Sequence, residues 1–535
     1  MKPSRPVLAS VAAIAIAAGS FSIVHAADKD KTSKATVQTA AEQNLVDSPT
    51  VGDAAPINDP AIQDDGVDGA ESGDAVADNA PSGDADSVDT SEFIGLDTSE
   101  SYGSDENVGM PVEGDDTVMP AQITPNAVNN AVATLSKPLQ VEPGIEARAQ
   151  QVPDEPETAA APSPAEKTGA AMRKMTGPAD APRSVYGNGD QTQAWYGTEG
   201  VEGWYVHSES MKREIPVALV RATGPDGKPV PNAPTLYMLN GAGGSEQDTD
   251  WITVAKAQDF YKGKGVNVVI PMEGAFSYYV DWLTDGETLK QKSRYFKGEQ
   301  KWSTFLGKEL PPAVERELGA SDKRGVLGFS MSGTSSLLLA EHFPGQYAAA
   351  GSFSGCAATS TPLPWAFVAL TVNRAAKQND YKSVTPAHIW GPMGSPYNRY
   401  NDALVNAEKL RNTALYISNG SGTGSQSDMI GYRVSQGQEL SAAISGSMTT
   451  TVEGGVIEAA TNSCTHDLRA KLKGLDIPAH YEFRKTGTHA WSVWLDDLNQ
   501  SWNSTFGPAL VGENFVRAEQ PKLNRPTWNP DGSSK

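Results

Sequence analysis

Between Ala35 and Ser136 the chain carries 21 Asp and Glu and no Lys or Arg. No other feature constrains the fold as much, because this one divides the chain. The stretch is rich in Gly, Ala, Ser and Pro and poor in aromatic residues. Such a segment buries too little apolar surface to offset the entropy of ordering it. It also supplies almost all of the formal net charge of −22. Residues 27–182 are therefore expected to form an acidic, disordered extension that acts as a solvated, self-repelling spacer. The same charge argues against nucleic acid as a partner, since phosphates are repelled.

Ahead of the extension, Lys2 and Arg5 precede an apolar run from Val7 to Val24, and Val24-His25-Ala26 fits a small-residue cleavage site. These three regions predict a signal peptide over residues 1–26. The run is broken by Gly19 and Ser20 and is short for a bilayer span of ~20 residues. The expectation is an exported protein, secreted or held at the cell envelope by contacts.

Beyond Arg183 the composition changes, and all eleven Trp and both Cys lie there. Residues 183–520 are expected to fold as one α/β domain, followed by a flexible tail over 521–535. Short apolar runs such as Thr235–Leu239, Val266–Ile270, Ala348–Phe353 and Thr413–Ser418 read as strands. Helically spaced segments separate them. That alternation predicts a mostly parallel central sheet with helices on both faces. Cys356 and Cys464 are an even pair in an exported chain, so a disulfide is expected. Closing a loop of about 110 residues is worth up to roughly 4–5 kcal/mol.

One strand runs into Gly328-Phe329-Ser330-Met331-Ser332 and then into helical spacing. A hydroxyl becomes a nucleophile when it is exposed on a sharp turn, bonded to a base and faced by oxyanion donors. Small residues two positions either side let the backbone turn tightly, which favours Ser330 over Ser332. The N–H of Met331, at the helix start, is then one oxyanion donor. The loop Asn240–Gly244 follows Thr235–Leu239 and offers Ala242 as the second. In this fold the nucleophile is followed in the chain by an acid and then a base. Among the late histidines His489 lies on a loop after the last strand, where a base belongs, whereas His466 and His480 do not. Glu458 and Asp467 are both candidates for the acid. No Cys/His spacing suits zinc and no glycine-rich phosphate loop precedes a helix, so neither metal nor cofactor is expected.

Seven stretches occur in an order that is specific when taken together. They are Ser210–Val217 (SMKREIPV), Leu239-Asn240-Gly241, Ile270-Pro271 with Ser277 and Asp281-Trp282, Lys301–Leu306 (KWSTFL) with Glu309-Leu310-Pro311, Gly328–Gly333 (GFSMSG), Trp390-Gly391-Pro392, and Gly487–Trp491 (GTHAW). From Ser210 to Trp494 the chain resembles the mycolyltransferases of the antigen 85 complex and their corynebacterial relatives. The resemblance implies an α/β-hydrolase fold, with Ser330 as nucleophile, His489 as base, Glu458 as acid and Met331 and Ala242 as oxyanion donors. It implies ping-pong acyl transfer, in which Ser330 takes a mycoloyl chain from trehalose monomycolate. Trehalose, wall arabinan or another envelope hydroxyl, including one on an envelope protein, then accepts it. Asn240, Gly241 and Trp491 are the residues it points to for substrate binding. The relatives commonly carry Asp-Gly-Leu-Arg where this chain has Asn240-Gly241-Ala242-Gly243, so the acceptor is where a difference is expected. Two further readings are a carboxylesterase or lipase that uses water, and a non-catalytic envelope-binding protein on the same fold.

Overall fold

The computed structural model describes residues 144–153, 171–185, 189, 191–376 and 384–519. The expected signal peptide (1–26), most of the acidic extension and the tail (521–535) lie outside the described residues.

The strands are β1 (Met172–Lys174), β2 (Glu202–Ser208), β3 (Arg213–Val220), β4 (Thr235–Leu239), β5 (Asn267–Pro271), β6 (Arg324–Phe329), β7 (Ala349–Phe353), β8 (Ala414–Asn419) and β9 (His480–Phe483). They form one sheet in the order β1-β2-β3-β5-β4-β6-β7-β8-β9. Every pairing from β5 to β9 is parallel, while β1, β2 and β3 join antiparallel at one edge. From β4 the chain goes on to β5 on one side, and β6 lies on the other side, so the switch point falls between β4 and β6. The loop after β4 therefore opens beside the end of β6, where open α/β sheets place their sites.

The central strands are buried on both faces, so they read as continuous apolar runs. Alternate residues go to opposite sides. Tyr237 and Leu239 of β4 join one core with helices α1 (Leu310–Leu318), α2 (Met331–His342) and α3 (Pro362–Val372). Leu236 and Met238 join the other, with Trp494, Trp502 and Phe506. Four further elements complete the parts relevant to the site. They are α4 (Ile430–Ser435), α5 (Leu440–Met448), α6 (Gly455–Gly474) and α7 (Trp491–Ser501). This is the α/β-hydrolase arrangement. Among the described residues no helix is long and apolar enough to cross a membrane.

Two stretches correct the expectation that 27–182 is disordered throughout. The helix Ile145–Arg148 buries Ile145, and Ala149 beside it accepts a bond from Tyr397 N at 3.0 Å. Strand β1 pairs with β2, and Arg173 forks onto Glu214 at 2.6 and 2.8 Å and also bonds Asp180. The physical reason is local. The basic-free acidic run ends at Ser136, and the later residues carry apolar anchors and cations that find partners on the domain.

The expected disulfide forms between Cys356 and Cys464, which are 108 positions apart. It ties the loop after β7 to α6. Reduction is expected to lower the melting temperature of the full chain by roughly 5–10 °C. A melting curve with and without reductant checks this, and an unchanged midpoint contradicts it.

Candidate active site

Strand β6 ends at Phe329 and α2 begins at Met331, so the turn between them consists of Ser330 alone. Its backbone sits at φ 57°, ψ −124°, a conformation that non-glycine residues hold only when their surroundings impose it. The turn is possible because Gly328 has no side chain. A Cβ there would lie 2.3 Å from Ser332 O. Ser332, the rejected alternative nucleophile, is buried. Its Oγ donates to Leu239 O at 3.0 Å and accepts from Phe329 N at 3.1 Å. A serine at this position thus clips the elbow to the end of β4, where the Gly-rich loop starts.

His489 lies between β9 and α7, and its backbone N–H donates to Gly454 O at 3.0 Å. Its Nε2 is 2.7 Å from Ser330 Oγ and its Nδ1 is 2.8 Å from Glu458 Oε2. A carboxylate at Nδ1 fixes the ring proton there and leaves Nε2 free to accept from the serine. Trp494 packs edge-on against the imidazole, with centroids 5.1 Å apart.

Glu458 is in the first turn of α6 and is fully buried. Burying a carboxylate is costly unless it is hydrogen-bonded on all sides. Here Oε1 accepts from Ser354 Oγ at 2.7 Å, Asn419 Nδ2 at 2.9 Å and Gly420 N at 2.5 Å, and Oε2 faces His489. Asp467, the other candidate acid, is exposed and two turns further along α6. His466 stacks on Phe483 and His480 stacks on Tyr416, each away from Ser330.

Met331 is the first residue of α2, so its N–H belongs to the helix start, where amides have no intrahelical partner and the helix dipole is positive. Ala242 lies in the loop after β4, and its carbonyl accepts from Phe276 N at 2.7 Å, which fixes the loop's orientation. Gly241 is required by packing, because a Cβ there would lie 2.5 Å from Phe329 Cε2. Trp491, the first residue of α7, is partly buried against the second core, tilted against Phe329 and edge-on to Trp251.

Asn240 follows the last residue of β4 and opens the Gly-rich loop. Its side chain is buried, with Nδ2 donating to Ser245 Oγ at 3.1 Å and Pro271 O at 3.2 Å. Its Oδ1 accepts from Trp251 N at 3.2 Å. Both N–H groups of the amide and its oxygen are engaged in holding the loop together. Asn240→Asp is therefore expected to remove both donated bonds, costing about 1–3 kcal/mol of stability, and not to improve acyl transfer to a sugar. Denaturant unfolding beside a transfer assay checks this.

Two supporting residues gave no sequence signal. Ser354, at φ 51° after β7, receives Trp494 Nε1–H at 3.1 Å and donates to Glu458. Glu246, buried behind the Gly-rich loop, accepts from Gly274 N at 3.1 Å and Ala275 N at 2.9 Å. Burial pushes its carboxyl up, against the pull of Lys297 at 3.2 Å. Neither residue sits in a motif. Each is recognised only by what the fold brings to it.

Sheet order, elbow and loop placement together define an α/β-hydrolase of the esterase class. The chain belongs to the family described as putative esterases, whose model matches residues 208–504. It is similar to the diacylglycerol acyltransferase/mycolyltransferase Ag85B of Mycobacterium leprae, 29% identical over 303 residues, covering 56% of this chain and 81% of the relative. Ag85A of Mycobacterium ulcerans, with the same double name, is 29% identical over 271 residues, covering 50% and 72%. Among solved structures, MPT51 (FbpC1) of Mycobacterium tuberculosis aligns over 57% of this chain and 98% of its own, with 21% identity and a TM-score of 0.42.

Proposed function

We propose that the protein is an exported acyltransferase that moves a mycoloyl chain from trehalose monomycolate, through an ester on Ser330, to a second hydroxyl. Trehalose, wall arabinan or another envelope hydroxyl accepts it. The observation that carries this reading is the unbroken chain from Ser330 Oγ through His489 to the buried Glu458, at 2.7 and 2.8 Å. Its presence in a chain similar to enzymes named mycolyltransferases supports the acyl class.

In the first half-reaction Ser330 Oγ attacks the ester carbonyl of the donor as its proton passes to His489 Nε2. Glu458 stabilises the imidazolium so formed without itself taking the proton. The tetrahedral oxyanion is received by the N–H groups of Met331 and Ala242. His489 then gives its proton to the departing sugar oxygen, leaving the acyl chain on Ser330. In the second half the acceptor hydroxyl gives its proton to His489 as it attacks the acyl carbonyl, and His489 returns that proton to Ser330 Oγ as the ester bond to Ser330 breaks and the new ester leaves.

Because the Asn240 amide is engaged within its own loop, the acceptor is on this reading held by backbone groups, with Trp491 offering an aromatic face to a sugar ring. A fluorophosphonate probe tests the reading. Stoichiometric labelling of Ser330 is expected. An unlabelled protein would favour a non-catalytic binding role. The esterase reading shares the acyl-enzyme and differs only in giving the chain to water.

A further inference from the structure

Residues 429–452 contain one Arg, one Glu and no Asp or Lys. They form α4, α5 and a π turn (Thr449–Gly454) that leads directly into α6. Their packing is inverted. In α5 the small residues Ala443 and Gly446 face inward. The large apolar ones, Leu440, Ile444 and Met448, recur every fourth position, and Val452 continues the spacing through the π turn. Residues so spaced share one side of a helix. That side faces solvent, with Leu440 59% and Met448 60% exposed. Met429, Ile430 and Val434 of the adjoining α4 are exposed as well. Seven of the twelve exposed large hydrophobics among the described residues lie in this one segment.

The single cation points the other way. Arg433 lies against Gly446, where a Cβ would be 2.6 Å from its Nη1, and its Nη2 donates to Thr450 Oγ1 at 3.1 Å. An arginine turned in and methionine, leucine and isoleucine turned out is the reverse of a water-facing hairpin. The segment has no Trp or Phe, its one Tyr (Tyr432) is half-buried and its one Arg is turned inward, so its exposed stripe is aliphatic and thioether rather than built of the residues that most often anchor protein interfaces. Flexible aliphatic and thioether side chains suit a fluid apolar phase, which demands no fixed register.

The face is also continuous with the site. Gly454 O holds the backbone of His489, and Glu458 follows one turn later.

We propose that this face docks the protein on a lipid layer by inserting the α4–α5 edge among acyl chains, so that the Ser330 elbow is held at the layer where a long-chain ester donor resides. The choice of donor rests on the acyl-transfer reading, whereas the docking does not. The exposed edge carries no cation, so binding is expected to need no anionic headgroup and to withstand high salt.

The test is flotation of the full chain with neutral phosphatidylcholine vesicles. Wild type and Ser330→Ala are expected to float equally, at low and high salt, which separates docking from turnover. Leu440→Ser, Ile444→Ser and Met448→Ser combined are expected to lower the partition coefficient by at least about 100-fold, because each buried side chain is worth on the order of tenfold. The same variant should hydrolyse a short soluble ester at the wild-type rate, which shows that it is folded. Equal flotation of the triple variant overturns the proposal. So does wild-type protein that stays in the soluble fraction, including the case where it forms a dimer that the triple variant cannot form.

Discussion

Ser330→Ala is expected to lower kcat/KM for acyl transfer by roughly 10⁴-fold or more while leaving the melting temperature near that of wild type. The hydroxyl removed lies at the elbow and bonds only to His489 among the contacts described, so nothing in either core depends on it. The strained backbone is held from both sides. Ser330 N donates to Phe353 O at 2.8 Å and Gly333 N donates to Ser330 O at 3.0 Å. Both bonds are backbone bonds and survive the substitution. Residual turnover within tenfold of wild type would move the nucleophile elsewhere. Ser332 is a poor candidate, because its hydroxyl is buried and bonded to Leu239.

Glu458→Gln is expected to lower kcat by about 10²- to 10⁴-fold, and the reason is a tautomer. Three donors converge on Oε1, from Ser354, Asn419 and Gly420. An amide NH₂ at that corner would confront all three. Glutamine must therefore keep its oxygen there and turn its NH₂ toward His489 Nδ1. That nitrogen is then forced to accept, the ring proton moves to Nε2, and His489 can no longer take the proton of Ser330. Steady-state kinetics beside a thermal melt separates this from unfolding. Asp467→Asn, on the exposed side of α6, should leave kcat unchanged. The opposite pattern would make Asp467 the acid.

Much of this is legible in the sequence. The strand–Gly–x–Ser–x–Ser–helix pattern marks Ser330 because only a small residue at 328 lets the chain turn so sharply. His489 stands out because it follows the last apolar strand. The parallel sheet follows from buried runs such as Thr235–Leu239 alternating with helices. Other features depend on partners remote in sequence. Asn240 reads as a surface loop residue until Pro271, Ser245 and Trp251 close around its amide. Glu458 has no motif, and its role in the network rests on β7, β8 and the turn that precedes α6. The residues near 145 and 172, which pack on the domain, are masked in the sequence by the acidic average of the stretch that precedes them. Leu440, Ile444 and Met448 have the spacing of a core stripe, and only the inward turn of Arg433, Ala443 and Gly446 shows that they face out.

The most direct test of the proposed acyl transfer follows the acyl group itself. Purified full chain is incubated with trehalose monomycolate labelled in the acyl chain, at increasing concentrations of free trehalose, and the label is separated into sugar ester and free acid. The predicted result is label recovered as a new sugar ester, through a labelled adduct on Ser330 that appears before product and is absent from Ser330→Ala. Label released only as free acid at every trehalose concentration would contradict transfer and make the protein an esterase.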